Sequence, residues 1–182
     1  TYDASGNRLT EKNALNQTAT FTYDSNNRRT SATNPLGKTI TYVYDGSGNL
    51  TTEISPLGKG TTHTYDAYGH MLTMKDPLGS VTSYTYDSYG NMQTMEDPLG
   101  NVTTYTYDAN GRLTGTVDAS GNLTSSRTYD DGGRVIEEVT YSSPGMISEI
   151  RDNVYNSDGW LLSQTVRKGN GSRVPPVLGA SP

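Results

Sequence analysis

Cysteine is absent from this 182-residue chain, which removes disulfide scaffolds, thiol catalysis and cysteine-ligated zinc from consideration. Large apolar residues are scarce as well. Leu, Ile, Val and Phe together make up 29 positions, about 16%, and there is one Phe and one Trp. That is below the roughly 20% at which disorder becomes a serious candidate, and too little for one thick core. No run of 18 apolar residues occurs, so no transmembrane helix is expected, and residues 1–30 hold no apolar stretch of the signal-peptide kind. Lys and Arg number 14 against 19 Asp and Glu, for a net charge of −5. Without clustered positive charge the chain is expected to bind neither nucleic-acid phosphates nor an anionic membrane surface. What is abundant argues against disorder: 14 Tyr and 27 Thr, residues that favour strands.

An internal repeat organises these residues. Tyr-Asp occurs at Tyr2-Asp3, Tyr23-Asp24, Tyr44-Asp45, Tyr65-Asp66, Tyr86-Asp87 and Tyr107-Asp108, each 21 residues after the last. Tyr129-Asp130 follows after 22 residues and a degenerate Tyr155-Asn156 after 26 more. Each unit carries two turn signals. Four residues after the Tyr stands a Gly, or once Asn27, the next best residue at positive φ. Eleven residues after the Tyr come Asn34-Pro35-Leu36-Gly37, Ser55-Pro56-Leu57-Gly58, Asp76-Pro77-Leu78-Gly79 and Asp97-Pro98-Leu99-Gly100, with Asp118-Ala119-Ser120-Gly121 and Asn13-Ala14-Leu15-Asn16 as relatives. The intervals between turns hold one strand of about 5–7 residues each. One repeat is one β-hairpin. Strands are predicted at 18–23, 39–44, 60–65, 81–86 and 102–107, with partners starting near 8, 29, 50, 71, 92 and 113, and helix is expected to be nearly absent.

Alternation within the strand that ends in Tyr-Asp places Phe21/Tyr23, Tyr42/Tyr44, His63/Tyr65, Tyr84/Tyr86 and Tyr105/Tyr107 on one face. Thr20/Thr22, Thr41/Val43, Thr62/Thr64, Ser83/Thr85 and Thr104/Thr106 lie on the other. Successive tyrosines are expected to stack in register. The partner strand resists the same reading. Met71-Leu72-Thr73-Met74 and Leu50-Thr51-Thr52-Glu53-Ile54 put apolar residues on both faces, and pattern alone assigns neither.

Units such as Tyr107-Asp108-Ala109-Asn110-Gly111-Arg112-Leu113-Thr114, alternating with Pro-Leu-Gly turns, closely resemble the YD repeats of the Rhs family. That family includes bacterial polymorphic toxins, wall-associated proteins, the shell subunits of insecticidal toxin complexes and animal teneurins. The resemblance covers residues 1–135 and fades over 136–165. It implies an all-β chain of tandem hairpins forming a continuous antiparallel sheet that curves as a segment of a hollow shell. It also implies a non-enzymatic wall module, secreted or at the cell surface, whose partners are the flanking repeats or a toxin domain of a parent chain. The Tyr-Asp pairs at Tyr23, Asp24, Tyr44, Asp45, Tyr65, Asp66, Tyr86, Asp87, Tyr107 and Asp108 define the repeats. Organisation is read as regular repeats over 1–135, degenerate repeats or a cap over 136–169, where Trp160, Leu161 and Leu162 stand, and a linker-like tail over 170–182. The start in mid-unit at Thr1 is read as a tract taken from a longer protein, with an N-terminal sheet edge open to self-association.

No constellation reads as an active site. The Asp-Pro-Leu-Gly turns resemble the family's Asp-Pro-x-Gly-Leu cleavage motif, but Ser80 and Asn101 stand in place of the final Leu, and the sequence recurs at the repeat period as a turn should. His63 and His70 fall on repeat positions, without a recurring third ligand beside them. Asp45-Gly46-Ser47-Gly48-Asn49 and its relatives lack the further carboxylates of a calcium loop. No cofactor or metal is expected. A second reading is a carbohydrate-binding or adhesive module in which Tyr84, Tyr86, Tyr105 and Tyr107 stack on glycans. Magnitudes bear on the shell reading. Sixteen strands at about 4.8 Å spacing make a strip about 75 Å wide, which closes into a ring only about 25 Å across. A 100-residue cargo has a radius of gyration of about 13 Å and needs a wider cavity. An open strip with solvent on both faces is expected.

Overall fold

The computed structural model describes residues 1–169, together with the backbone of Ser172–Arg173 and Val177–Leu178. The described residues contain strands and turns and no helix. They divide into two units, Thr1–Ser83 and Tyr84–Pro182. The first holds β1 (Thr10–Lys12), β2 (Thr18–Tyr23), β3 (Arg29–Thr33), β4 (Thr39–Tyr44), β5 (Leu50–Ile54), β6 (Gly60–Tyr65) and β7 (Met71–Lys75). The unit boundary falls inside β8 (Val81–Tyr86). The second unit holds β9 (Met92–Glu96), β10 (Val102–Tyr107), β11 (Leu113–Val117), β12 (Leu123–Tyr129), β13 (Val135–Ser143), β14 (Met146–Tyr155) and β15 (Leu161–Lys168). Within each unit, strands adjacent in sequence pair antiparallel, as short hairpin connections require.

The five strands expected to end in Tyr-Asp lie where the sequence puts them, and the partner strands begin at 29, 50, 71, 92 and 113. Only β1 differs. It starts at Thr10, because Arg8 forms an isolated bridge with Tyr2 and is not part of the ladder. Of the tail 170–182, most lies outside the described residues; β16 (Ser172–Arg173) and β17 (Val177–Leu178) pair antiparallel with β15.

Both classes of turn use one design. In each, a type I turn is followed by a residue at positive φ, which gives a three-residue hairpin loop. Asp45 shows the pattern: its N–H donates to the Asn49 carbonyl at 3.0 Å, and Gly48 N–H donates to the Asp45 carbonyl at 3.2 Å. One carboxylate oxygen then accepts the N–H groups of Ser47 and Asn49, both at 2.9 Å. Asn16 and Asn27, where glycine is missing, both have φ of 61°. Gly111 needs its glycine twice over. Its φ is +74°, and a Cβ there would sit 3.2 Å from Asn91 Oδ1 of the preceding repeat. We expect Gly111→Ala to cost about 1–2 kcal/mol for the left-handed backbone, plus the clash. Gly121→Ala, at φ +80° with nothing within 4 Å, should cost the backbone share alone. Urea unfolding of the two variants measures the difference.

A bulge explains the unreadable partner strand. Thr22 pairs with Ser31 but Tyr23 pairs with Arg29, so Thr30 is an extra residue in β3. The same step occurs opposite Val43/Tyr44, Thr64/Tyr65 and Thr106/Tyr107. Both residues at a bulge face the same side, and Thr22 Oγ1 accordingly lies 2.8 Å from Thr30 Oγ1 and 2.7 Å from Ser31 Oγ. The bulge is also what the repeat length demands. The hairpin closures pair Tyr23 with Arg29 and Thr33 with Thr39, both with even index sums. Without an extra residue, a 21-residue period would therefore send successive tyrosines to opposite faces. With it, Phe21, Ala32, Ile40 and Tyr42 share a face, and so do Thr22, Ser31 and Thr41. The 22-residue interval to Tyr129 has two such shifts, at Thr106/Tyr107 and Thr116/Val117, and the tyrosine again returns to its face.

Among the described residues neither unit has a second layer packed on the sheet. Val139, 7% exposed, is the one buried hydrophobic side chain among the described residues. Residues of both faces are half-buried or exposed, as in β2 and β8. The strand residues at 136–169 are the longest of the sheet, and there charge replaces aromatic surface. Arg127 takes the slot two before Tyr129 that holds Phe, Tyr or His in earlier units, and it meets Glu138 at 2.8 Å. Glu138 also binds Arg151 at 3.1 Å, which reaches Glu149 at 2.8 Å. Trp160 and Leu162 at this end stand 65% and 52% exposed.

Candidate functional site: the tyrosine-aspartate seam

The repeat-defining pair does two separate jobs. The tyrosine reaches back across one strand. Tyr23 donates its hydroxyl hydrogen to the Arg8 carbonyl, Tyr44 to Arg29, Tyr65 to Leu50 and Tyr107 to Met92, at 2.8–3.0 Å and each 15 residues upstream. Tyr129 and Tyr155 do the same to Leu113 and Val135. The acceptor is the first residue of the preceding partner strand, just beyond its turn, except for Tyr23, whose acceptor Arg8 holds the equivalent repeat position two residues before β1. Burial, then the nearby Asp45, raises the Tyr65 hydroxyl above its ordinary pKa; for Tyr107 burial again leads, followed by Tyr105 and Asp87. Both remain protonated donors at neutral pH.

The aspartate closes its own turn, and its second oxygen grips the side chain four residues on. Asn7, Asn49 and Asn91 donate to Asp3, Asp45 and Asp87 at 2.9 Å. His70 Nδ1 lies 2.8 Å from Asp66, so this histidine fills the asparagine slot as the repeat reading expects. Arg28, Arg112 and Arg134 take the same slot and do more. Each donates Nε to its own aspartate at 2.6–2.7 Å and Nη1 to the backbone carbonyl of the next repeat's turn, at Asp45, Asp130 or Asn156. Each guanidinium also lies over the next tyrosine ring, 4.7–5.0 Å from its centre at Tyr44, Tyr129 and Tyr155. Asn7 makes the equivalent reach to Asn27 Oδ1 at 2.7 Å. Turn is thus linked to turn, and strand to strand, along one edge of each unit.

These bonds hold the aspartates ionised. At Asp3, Asp45, Asp87 and Asp97 the side-chain amide of the asparagine four residues on is the leading cause of a lowered pKa. At Asp24, Asp76, Asp108, Asp118 and Asp130 the backbone N–H at that position leads. At Asp66 partial burial pulls upward and is outweighed by the bonds from His70 and Tyr68.

A cleft of about 740 Å³ in the second unit is lined by Asp87, Tyr89, Asn91, Gln93, Tyr105 and Tyr107, with residues of the 108–111 turn. Of the four tyrosines assigned to glycan stacking, Tyr105 and Tyr107 line it and Tyr84 and Tyr86 do not. Tyr89, which the repeat pattern did not single out, is 89% exposed at its rim. No group of three or more His, Asp or Glu side chains that could hold a metal ion occurs among the described residues. The Asp-Pro-Leu-Gly sequences are turns, with Asp76 and Asp97 each accepting two backbone N–H groups.

A family model described as teneurin YD-shell matches residues 1–124, and one described as RHS repeat matches residues 107–144. The chain belongs to the YD-shell family. No curated protein sequence matches this YD-shell chain. Among solved structures it is similar to the TcdB2-TccC3-Cdc42 crystal structure, at 16% identity and a TM-score of 0.42, over 96% of this chain and 13% of that one. It is likewise similar to the Photorhabdus luminescens Tc holotoxin pore, at 16% identity and a TM-score of 0.38, over 96% and 13%. The YD-shell chain therefore spans about one-eighth of the length of those chains. Its Tyr-Asp pairs are the structural seam of a repeat module.

Proposed function

We propose that this module is a stretch of wall in a secreted or cell-surface shell that encloses or presents a toxin or effector polypeptide. The observation that carries the reading is the identity of the seam from one repeat to the next. Tyr23, Tyr44 and Tyr65 make the same bond to the same place in the preceding hairpin, so further hairpins can be added without a new kind of contact. A wall needs this property, and a catalytic site does not. Protease challenge of the full polypeptide that carries the tract tests it. A C-terminal segment inside the wall should outlast the same segment made alone by at least tenfold. Equal digestion rates would overturn the reading.

The cleft at Tyr89, Tyr105 and Tyr107 favours a second role, in glycan binding. It offers one exposed ring beside the Asn91 and Gln93 amides. Two features weigh against it. The Tyr107 hydroxyl is committed to Met92, and the Asp87 carboxylate to Tyr89 and Asn91. Titration with neutral oligosaccharides, followed by NMR, should shift Tyr89 and Tyr105 resonances and lose the effect in Tyr89→Ala if this role is real. Unmoved resonances dismiss it.

A further inference from the structure

Three repeats hold an arginine in one and the same socket. Arg28, Arg112 and Arg134 each meet the carboxylate four residues back, the backbone carbonyl of the next repeat's turn and the face of the next tyrosine ring. A glycine of that next turn forms the wall: a Cβ on Gly48, Gly133 or Gly159 would stand 3.4–3.7 Å from the guanidinium nitrogen. The repeat that begins at Asp87 builds the same socket around a shorter side chain. Asn91 donates to Asp87 Oδ2 at 2.9 Å, and its side chain makes no bond to the next turn. Tyr107, Asp108 and Gly111 hold the repeat positions of the ring, the carbonyl and the glycine wall. Together with Asp87 and Asn91 they line the cleft of about 740 Å³.

We infer that this cleft binds the arginine side chain of a partner polypeptide. The chain's own arginines show which group the socket takes, and the acceptors it needs have capacity left. Asp87 Oδ2 accepts one hydrogen from Asn91, and a carboxylate oxygen can accept two. The Asp108 carbonyl accepts the Gly111 N–H at 3.0 Å. The Asp45 carbonyl does the same for Gly48 at 3.2 Å and still takes Arg28 Nη1 at 3.0 Å. Tyr107 supplies the ring face, and Tyr105 and the exposed Tyr89 add two more rings beside it. A planar guanidinium can bond the carboxylate and the carbonyl together while lying on a ring, which the point charge of lysine cannot do as well. Charge points the same way. The chain's whole net charge of −5 falls in the second unit, the first being balanced, so a cationic segment is drawn to this unit. A glycan would use the rings and amides of the cleft. The arginine site turns on Asp87 and the Asp108 carbonyl, and so rests on neither reading above.

Titration of the intact chain with the capped tripeptide acetyl-Gly-Arg-Gly-amide, followed by NMR, tests it. The Asn91 side-chain amide and the Gly111 N–H should shift and saturate, with half-saturation at about 1–10 mM, and more weakly as salt is added. The lysine tripeptide should bind about threefold more weakly, and the citrulline tripeptide, of the same shape without the charge, about tenfold more weakly. Asn91→Arg puts the chain's own guanidinium in the socket. It should abolish the response to the arginine tripeptide and raise the thermal midpoint. Asp87→Asn can keep the two turn-closing bonds, as Asn34 does. It should weaken arginine binding about tenfold and leave any response to neutral oligosaccharides as it was. Equal responses to the arginine and citrulline tripeptides overturn the inference. So does an Asn91→Arg chain that the arginine tripeptide saturates as before, or a cleft that answers to oligosaccharides and not to arginine.

Discussion

Lowering the pH is expected to melt this sheet with unusual steepness below about pH 5, and to leave it unchanged between pH 5 and 7. Ten aspartates, at 3, 24, 45, 66, 76, 87, 97, 108, 118 and 130, have folded-state pKa values below the ordinary 3.8. The unfolded chain binds protons to these groups first. Their contribution is thus complete above the unfolded value and is lost as pH falls through the lower folded ones. Every affected group closes a turn, so the hairpin connections they close weaken together, while those closed by Asn13, Asn34, Ser55 and Asn156 do not titrate. Asparagine supplies the control, because Asn34 already closes its turn with the same two bonds, from Leu36 at 2.9 Å and Lys38 at 3.0 Å. Asp76→Asn/Asp97→Asn should therefore keep the fold at pH 7 and show a shallower loss of thermal midpoint between pH 5 and 3. An unaltered slope would mean that these turns are not what acid attacks.

The second large effect belongs to the tyrosines. Tyr65→Phe removes one hydrogen bond, to the Leu50 carbonyl, and should cost about 1 kcal/mol. Tyr65→Ala also strips a half-buried ring from the face that this sheet depends on, and we expect a loss of about 2–3 kcal/mol. For a chain of this length each kcal/mol is about 2–4 °C in thermal midpoint. Tyr44→Phe should match Tyr65→Phe, since its bond to Arg29 is equivalent, whereas Arg28 over the ring should make Tyr44→Ala costlier than Tyr65→Ala. Urea unfolding measures all four. A neutral Tyr65→Phe would remove the hydroxyl from the account of the seam.

Much of this architecture was legible beforehand, for a physical reason: the Tyr-Asp pair marks both the end of a strand and the start of a turn. It fixed β2, β4, β6, β8 and β10 to the residue. The partner strands were located but not oriented, because the bulges at Thr30, Thr51 and Leu72 break the alternation on which facing is judged. A signal for them did exist. An odd repeat length joined by two identical turns returns the tyrosine to its own face only if one residue is extra. The acceptor of the tyrosine hydroxyl was not legible, since it is a backbone carbonyl and leaves no side-chain trace. Nor was the reach of Arg28, Arg112 and Arg134 into the next repeat, because asparagine and histidine occupy that slot elsewhere. At 136–169 the departure from the repeat was visible as altered spacing. The ion pairs of Arg127, Glu138 and Arg151 that replace the aromatic ladder were not, since they join residues from three strands.

The central claim is that a ladder of equivalent hairpins, and no core, holds the protein together. Amide hydrogen exchange on the intact chain tests it most directly. Protection should be spread over every strand from β2 to β15, with the turn N–H groups of Asp24, Asp45, Asp108 and Asp130 retained alongside their neighbours. Protection confined to the strands around Val139, with residues 18–75 exchanging at the rate of an unfolded chain, would contradict it.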